Sequence, residues 1–97
     1  MTSLNDVQDI VTARARGRIR GTVSLVMPDL GTLLVDETGA VESSEGAEIT
    51  LTAKSDVFRN IVEGTQNPAT AFMTGKLKVD GNPVRALKIG EILSSDP

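Results

Sequence analysis

Residues Asn67 to Asn82 read NPATAFMTGKLKVDGN, and the fold can be worked outward from them. Asn67-Pro68 is a helix start. Asn can cap free backbone N–H groups, and Pro, with its helical φ and no N–H to satisfy, fits the first helical position. A short helix follows, near residues 69–74, with Phe72 and Met73 as its bulky apolar residues. Gly75 ends it, because a residue without Cβ enters the left-handed conformation of a C-terminal cap at no steric cost. At Lys76 the apolar period changes to two. Leu77 and Val79 face one way while Lys76, Lys78 and Asp80 face the other, which predicts a half-buried strand over 76–80. Gly81-Asn82-Pro83 then turns the chain into a last helix, near 83–94, again with Pro in its first position.

The same two periods run through the rest of the chain. Leu4, Val7, Ile10 and Val11 predict an amphipathic helix near 3–12 that Ser3 can cap. It either packs on the sheet or offers a surface that touches a membrane or a partner. Arg14, Arg16, Arg18 and Arg20 alternate, so an extended segment would put all four on one face. That face is either solvated or a patch for anionic headgroups or a phosphate-bearing ligand. Strands are expected near 18–27, 31–36 and 47–53, with apolar residues at odd positions such as Ile19, Val23, Leu25, Leu33, Val35, Ile49 and Leu51. The first two form a hairpin around Pro28-Asp29, and a short strand around Ala40 to Glu42 is also expected. Ser55 is placed to cap a helix near 56–63 whose apolar face is Val57, Phe58, Ile61 and Val62, closed by Gly64. In the last helix Ala86, Leu87, Ile89, Gly90 and Leu93 share one face, with Val84 and Ile92 on the far side. Strands apolar on one face, with helices to cover that face, make an α+β layer architecture in a single domain over 1–97.

Composition narrows the chemistry. The 97 residues contain no Cys and no His, which removes disulfides, thiolate sites and the commonest general base and zinc ligand. The net charge of −3 argues against a nucleic-acid binder, and two Phe with no Trp or Tyr cannot build a base-stacking platform. Ser43-Ser44 has no base nearby and no nucleophile-elbow pattern, so an enzyme is not expected. The carboxylates do not fall at a calcium-loop spacing, so neither a metal nor a cofactor is expected. No apolar run reaches the length of a membrane span, no charged-then-apolar segment opens the chain, and Ser94-Ser95-Asp96-Pro97 is not a Ser-Lys-Leu peroxisomal address. The expected location is the cytoplasm. What remains is apolar burial.

Followed by Ala86, Leu87 and Lys88, the 67–82 stretch resembles the sterol carrier protein 2 family of lipid-binding domains. Members carry a proline, a bulky apolar pair and a Gly-Lys-Leu-Lys-apolar-x-Gly run before a final helix. Here the pair is Phe72-Met73, where many members have two aromatics, and the run is Gly75 to Gly81. Ala47-Glu48-Ile49-Thr50-Leu51 resembles the family's strand of type Ala-acidic-apolar-Thr-apolar. The resemblance implies a single mixed or antiparallel sheet of about five strands, with helices covering one face over an apolar tunnel. It also implies a hydrophobic ligand: a fatty acyl chain, acyl-CoA, phospholipid or sterol-like molecule. Phe58, Ile61, Val62, Phe72, Met73, Leu77, Leu87 and Leu93 would then line the pocket, with Arg18 and Arg20 as anion or headgroup contacts. Without the resemblance the same apolar residues read as core. The chain would then be a small interaction module with a filled core, which dimerises or docks to a partner around Val84 and Ile92.

Overall fold

The computed structural model describes residues 3–94. Ser95, Asp96 and Pro97, the end of the segment compared with the peroxisomal address, lie outside the described residues. The first helix, α1 (Leu4–Ala15), starts in a capping box. The Ser3 hydroxyl accepts from the Asp6 N–H, and the Asp6 carboxylate accepts from the Ser3 N–H, both at 3.2 Å. The helix runs a turn beyond the expected 3–12, because Val7, Val11 and Ala15 continue a buried stripe at every fourth residue. Arg14 therefore lies in the helix, Arg16 caps it and Gly17 turns the chain at φ 73°. This corrects the expectation that the four arginines share an extended face.

Strand β1 (Val23–Met27) begins later than the expected 18, because Gly21 takes φ 78° and interrupts the extended run. It pairs antiparallel with β2 (Gly31–Asp36), Val23 opposite Val35, and β2 pairs antiparallel with β3 (Gly39–Glu42). On its other side β1 pairs parallel with β4 (Ile49–Thr52), which pairs antiparallel with β5 (Lys78–Asp80). The result is a mixed five-stranded sheet of order β3-β2-β1-β4-β5. Val23, Leu25, Met27, Leu33, Val35, Ile49 and Leu51 are buried on one face and share a core with Val7, Val11 and Ala15 of α1. Burying each Val, Leu, Ile or Met side chain stabilises the fold by roughly 1.5–3 kcal/mol before ordering costs.

Helix α2 (Ser55–Glu63) ends at Gly64, which takes the left-handed conformation at φ 82°. Its N-cap is Lys54, which makes no side-chain cap bond, and not Ser55 as the sequence suggests. The Ser55 hydroxyl is engaged elsewhere: it and the Ser55 N–H both donate to Asp29 in the β1–β2 turn. Helix α3 (Pro68–Met73) is capped by Asn67, whose side chain accepts from the Thr70 N–H. The Lys76 and Leu77 N–H groups then both donate to the Ala71 carbonyl, at 2.9 and 3.0 Å. These bonds finish the helix end, so β5 starts only at Lys78 although Leu77 is already buried. Asn82 accepts from the Val84 and Arg85 N–H groups and opens α4 (Pro83–Ser94).

Candidate functional site

Helix α4 packs over β4 and β5, and α2 and α3 pack against α4. The space between these helices and the sheet is apolar. Phe58, Ile61 and Val62 of α2, Leu77 before β5 and Leu93 of α4 are each at most 2% exposed. Leu87 is half-buried. Five of the eight residues expected to line a pocket therefore meet in one layer, with a sixth at its margin. Phe72 and Met73 do not enter it: they are 38% and 82% exposed. The tight α3 end explains this. It commits Ala71 and Leu77 to the interior, so the residues between them point outward.

Two surface clefts border this layer, and none of the eight residues expected to line a pocket lines either of them. A cleft of about 510 Å³ lies where β4 ends and α2 begins. Ala53 and Val57 give it apolar wall, Asn60 and Gln66 polar wall, and Lys54, Lys76 and Lys78 stand on its rim together with Asp56. Its wall residues neighbour the layer in sequence: Val57 precedes buried Phe58, and Lys76 and Lys78 flank buried Leu77. A second groove, of about 320 Å³, lies between the segment that precedes β1 and helix α4. Its apolar floor is Ile19, Ile89 and Ile92, surrounded by Arg18, Arg20, Arg85 and Lys88, and no carboxylate is among the residues lining it. Arg85 Nη2 reaches the Glu48 carboxylate at 3.3 Å and the Arg20 carbonyl at 3.4 Å. Arg18 donates to the Arg14 carbonyl at 3.2 Å. Glu48, which Arg85 of the groove holds, and Lys54 on the cleft rim are six residues apart through β4, roughly 20 Å of extended chain.

Arg18 and Arg20 thus reach one groove by a route the alternation did not foresee, a turn and not a strand face. Arg85 and Lys88, which complete the groove, are not among the expected headgroup contacts. Their spacing of three, which puts helical residues on one face, was the signal available. Lys76 and Lys78, expected on the face of their strand opposite Leu77, stand on the cleft rim with Lys54, which no local pattern in the sequence pairs with them. Among the described residues no group of His, Cys, Asp or Glu side chains could hold a metal ion. No buried side-chain polar atom among them lacks a hydrogen-bond partner, and no helix is long and apolar enough to cross a membrane.

The sequence profile of the SCP-2 sterol transfer family matches residues 4–94. The chain belongs to this family. Its relatives include a fatty acid-binding protein of Yarrowia lipolytica, 49% identical over 49 residues, half of this chain and 38% of that protein. The chain thus matches well under half the length of that relative. Among solved structures, the apo sterol carrier protein 2 of Yarrowia lipolytica is 27% identical with a TM-score of 0.64, over 94% of this chain and 75% of that one. Sterol carrier protein 2 of Aedes aegypti, solved with palmitate, superposes with a TM-score of 0.77 over 97% of both chains. At 20% identity, that likeness concerns the fold. Family membership bears out the resemblance carried by the Gly75–Gly81 run and by the strand at Ile49–Leu51.

Proposed function

We propose that this chain binds and carries a hydrophobic lipid ligand in the layer between α2, α3, α4 and the sheet, as a single non-enzymatic domain of the cytoplasm. The observation that carries the proposal is an apolar layer bordered by a cleft with Ala53 and Val57 in its wall and by a groove floored by Ile19, Ile89 and Ile92. An acyl chain admitted at the cleft would lie against Phe58, Ile61 and Leu77, and an anionic head would meet Arg18, Arg20, Arg85 and Lys88 at the groove. The cleft volume falls within the range of small-molecule sites, whose walls are mostly apolar with a few polar groups placed for orientation. Each methylene buried contributes roughly 0.8 kcal/mol, so a long chain can repay its ordering cost and the displacement of packed side chains. The names of the relatives, a fatty acid-binding protein and sterol carrier proteins, support a lipid cargo of this kind.

The test is titration of a fluorescent acyl chain, with native mass spectrometry of freshly purified protein to detect carried-over lipid. Val57→Trp should fill the cleft without burying a charge and weaken the probe by tenfold or more. An absence of both probe binding and carried lipid in the wild-type chain would end the carrier reading. The exposure of Val84, 75%, is what supports the alternative, docking to a partner or a second copy through α4.

A further inference from the structure

The sheet has two edges, β3 and β5, and the fold treats them differently. At β3 the outward backbone is taken up by α1. Gln8 Nε2 donates to the Ala40 carbonyl at 3.0 Å, and the Ala40 N–H donates to the Thr12 hydroxyl at 3.0 Å. At β5 nothing comparable occurs. The Ile49 and Ala53 N–H groups donate toward β1, to the Thr22 carbonyl at 3.4 Å and the Val26 carbonyl at 3.1 Å. The alternate residues Thr50 and Thr52 therefore turn their backbone to β5, where Asp80 and Lys78 lie opposite them. That leaves the N–H and C=O of Val79 pointing away from the sheet. Just before it the Leu77 N–H is held by the Ala71 carbonyl at 3.0 Å, but among the described residues no hydrogen bond reaches Val79 from beyond the sheet. The free edge is thus the strand 78–80 itself, with Lys78 and Asp80 exposed and Val79 half-buried.

We propose that β5 pairs antiparallel with β5 of a second copy of this chain, centred on Val79, and joins the two five-stranded sheets into one. In that register Val79 meets Val79 of the second copy, and each Lys78 lies opposite an Asp80 on the same face. The contact is isologous, so it closes at two copies. Charge complementarity selects this occupant. A Lys on a short edge strand ordinarily discourages pairing, but Asp80 two residues on cancels that repulsion for a strand that presents the same pair in reverse, which the strand's own copy does. Within the chain Lys78 and Asp80 lie opposite Thr52 and Thr50, and neither makes an ion pair among the described residues. Both charges are therefore available to the second copy.

The free edge spans about 10 Å, so the dimer belongs with small, transient contacts, and a Kd on the order of 100 μM is expected. The experiment is sedimentation equilibrium of the whole chain over a concentration series, at low and high salt. The wild-type chain should show a monomer–dimer equilibrium that salt weakens. Lys78→Asp turns both ion pairs into like-charge pairs, and so does Asp80→Lys. Each should weaken the dimer by about tenfold or more. Mixed in equal amounts, the two variants present opposite charges to one another and should associate at least as tightly as the wild-type chain. Hydrogen exchange of the wild-type Val79 amide should slow as the dimer forms, a readout that needs no substitution. A wild-type chain still monomeric at roughly ten times the expected Kd would overturn the pairing. So would a dimer that ignores both substitutions, or a Val79 amide whose exchange does not change as the chain dimerises. Two weakened variants, folded by circular dichroism, whose mixture fails to recover would overturn it as well.

Discussion

Pro68 of α3 lies where a side chain on Gly90 of α4 would have to be: a Cβ built there would sit 2.7 Å from Pro68 Cβ and 3.0 Å from its Cγ. The absence of that one carbon lets the short helix rest on the long one and brings Ala71 and Leu77 into the apolar layer. Ala normally stabilises a helix interior over Gly by about 1 kcal/mol. Here overpacking against a ring fixed by its own covalent geometry should cost about 1–3 kcal/mol and win. Gly90→Ala should thus be neutral to destabilising, and Gly90→Val destabilising by about 2 kcal/mol or more, by urea unfolding. A Gly90→Ala chain more stable than wild type would show that α3 shifts freely on α4.

Gly75 and Gly81 both take positive φ, at 79° and 112°, but the two positions should respond differently. Nothing lies within 4 Å of a Cβ on Gly75, so only backbone strain opposes substitution there. Asn, which tolerates the left-handed conformation, should cost well under 1 kcal/mol at Gly75, and Val about 1 kcal/mol or more. At Gly81 a Cβ would also meet the Glu48 carbonyl oxygen at 3.0 Å and Ile49 Cγ1 at 3.3 Å. Even Gly81→Ala should cost about 2 kcal/mol, and Asn should not rescue it. Equal effects of Asn at the two sites, in thermal or urea unfolding, would contradict this.

The Asp29–Ser55 contact ties the β1–β2 turn to the start of α2, beside the cleft. Ser55 donates to the Asp29 carboxylate from its hydroxyl at 2.6 Å and from its N–H at 2.9 Å, and these bonds hold the Asp29 pKa below its usual 3.8. A carboxylate depressed in the folded state adds stability where it is ionised. That contribution is therefore complete above 3.8 and is lost as the pH falls through the lowered folded value. Asp6, through Ser3, and Asp36, through Thr38, are shifted the same way. Asp29→Asn should lose stability at pH 7 and show a shallower decline toward pH 3 than the wild-type chain. Parallel pH curves for the two would remove Asp29 from the acid response.

What could be read in the sequence was what local chemistry decides. Asn67-Pro68, Gly75 and Gly81-Asn82-Pro83 place their turns because backbone conformation alone dictates those residues, and Leu25, Ile49 and Leu51 show their buried side by alternation. The arginine run failed because alternation in sequence assumes an extended chain, while Ala15 offered α1 one more buried turn. Ser55 failed as a cap because its hydroxyl had a better partner 26 residues away, which no local pattern reveals. The site was half legible for the same reason. Period and resemblance picked out Phe58, Ile61, Val62, Leu77 and Leu93, which are buried in one apolar layer, but the turn that buries Leu77 also turns Met73 outward. The groove needs Arg18 and Arg20 to meet Arg85 and Lys88, a conjunction made only by the packing of α4.

That groove makes the last prediction. If it receives the charged end of an acyl ligand, affinity should depend on the headgroup through these cations and on chain length through the layer. Arg20 and Lys88 are the two to change, since both are exposed on the groove and neither makes an ion pair among the described residues. Arg85, by contrast, already holds Glu48. Exposed ionic contacts are worth roughly 0.2–1 kcal/mol each, so Arg20→Gln with Lys88→Gln should weaken a long-chain carboxylate by about two- to thirtyfold at low salt. The alcohol of the same chain length carries no charge and should bind both proteins alike. Raising the salt should narrow the difference between wild type and variant, because screening removes from the wild type what the substitutions removed from the variant. The measurement is competition of each amphiphile against a fluorescent acyl probe. A carboxylate whose affinity ignores both the substitutions and the salt would place the head elsewhere, with the lysine rim of the cleft as the next position to test.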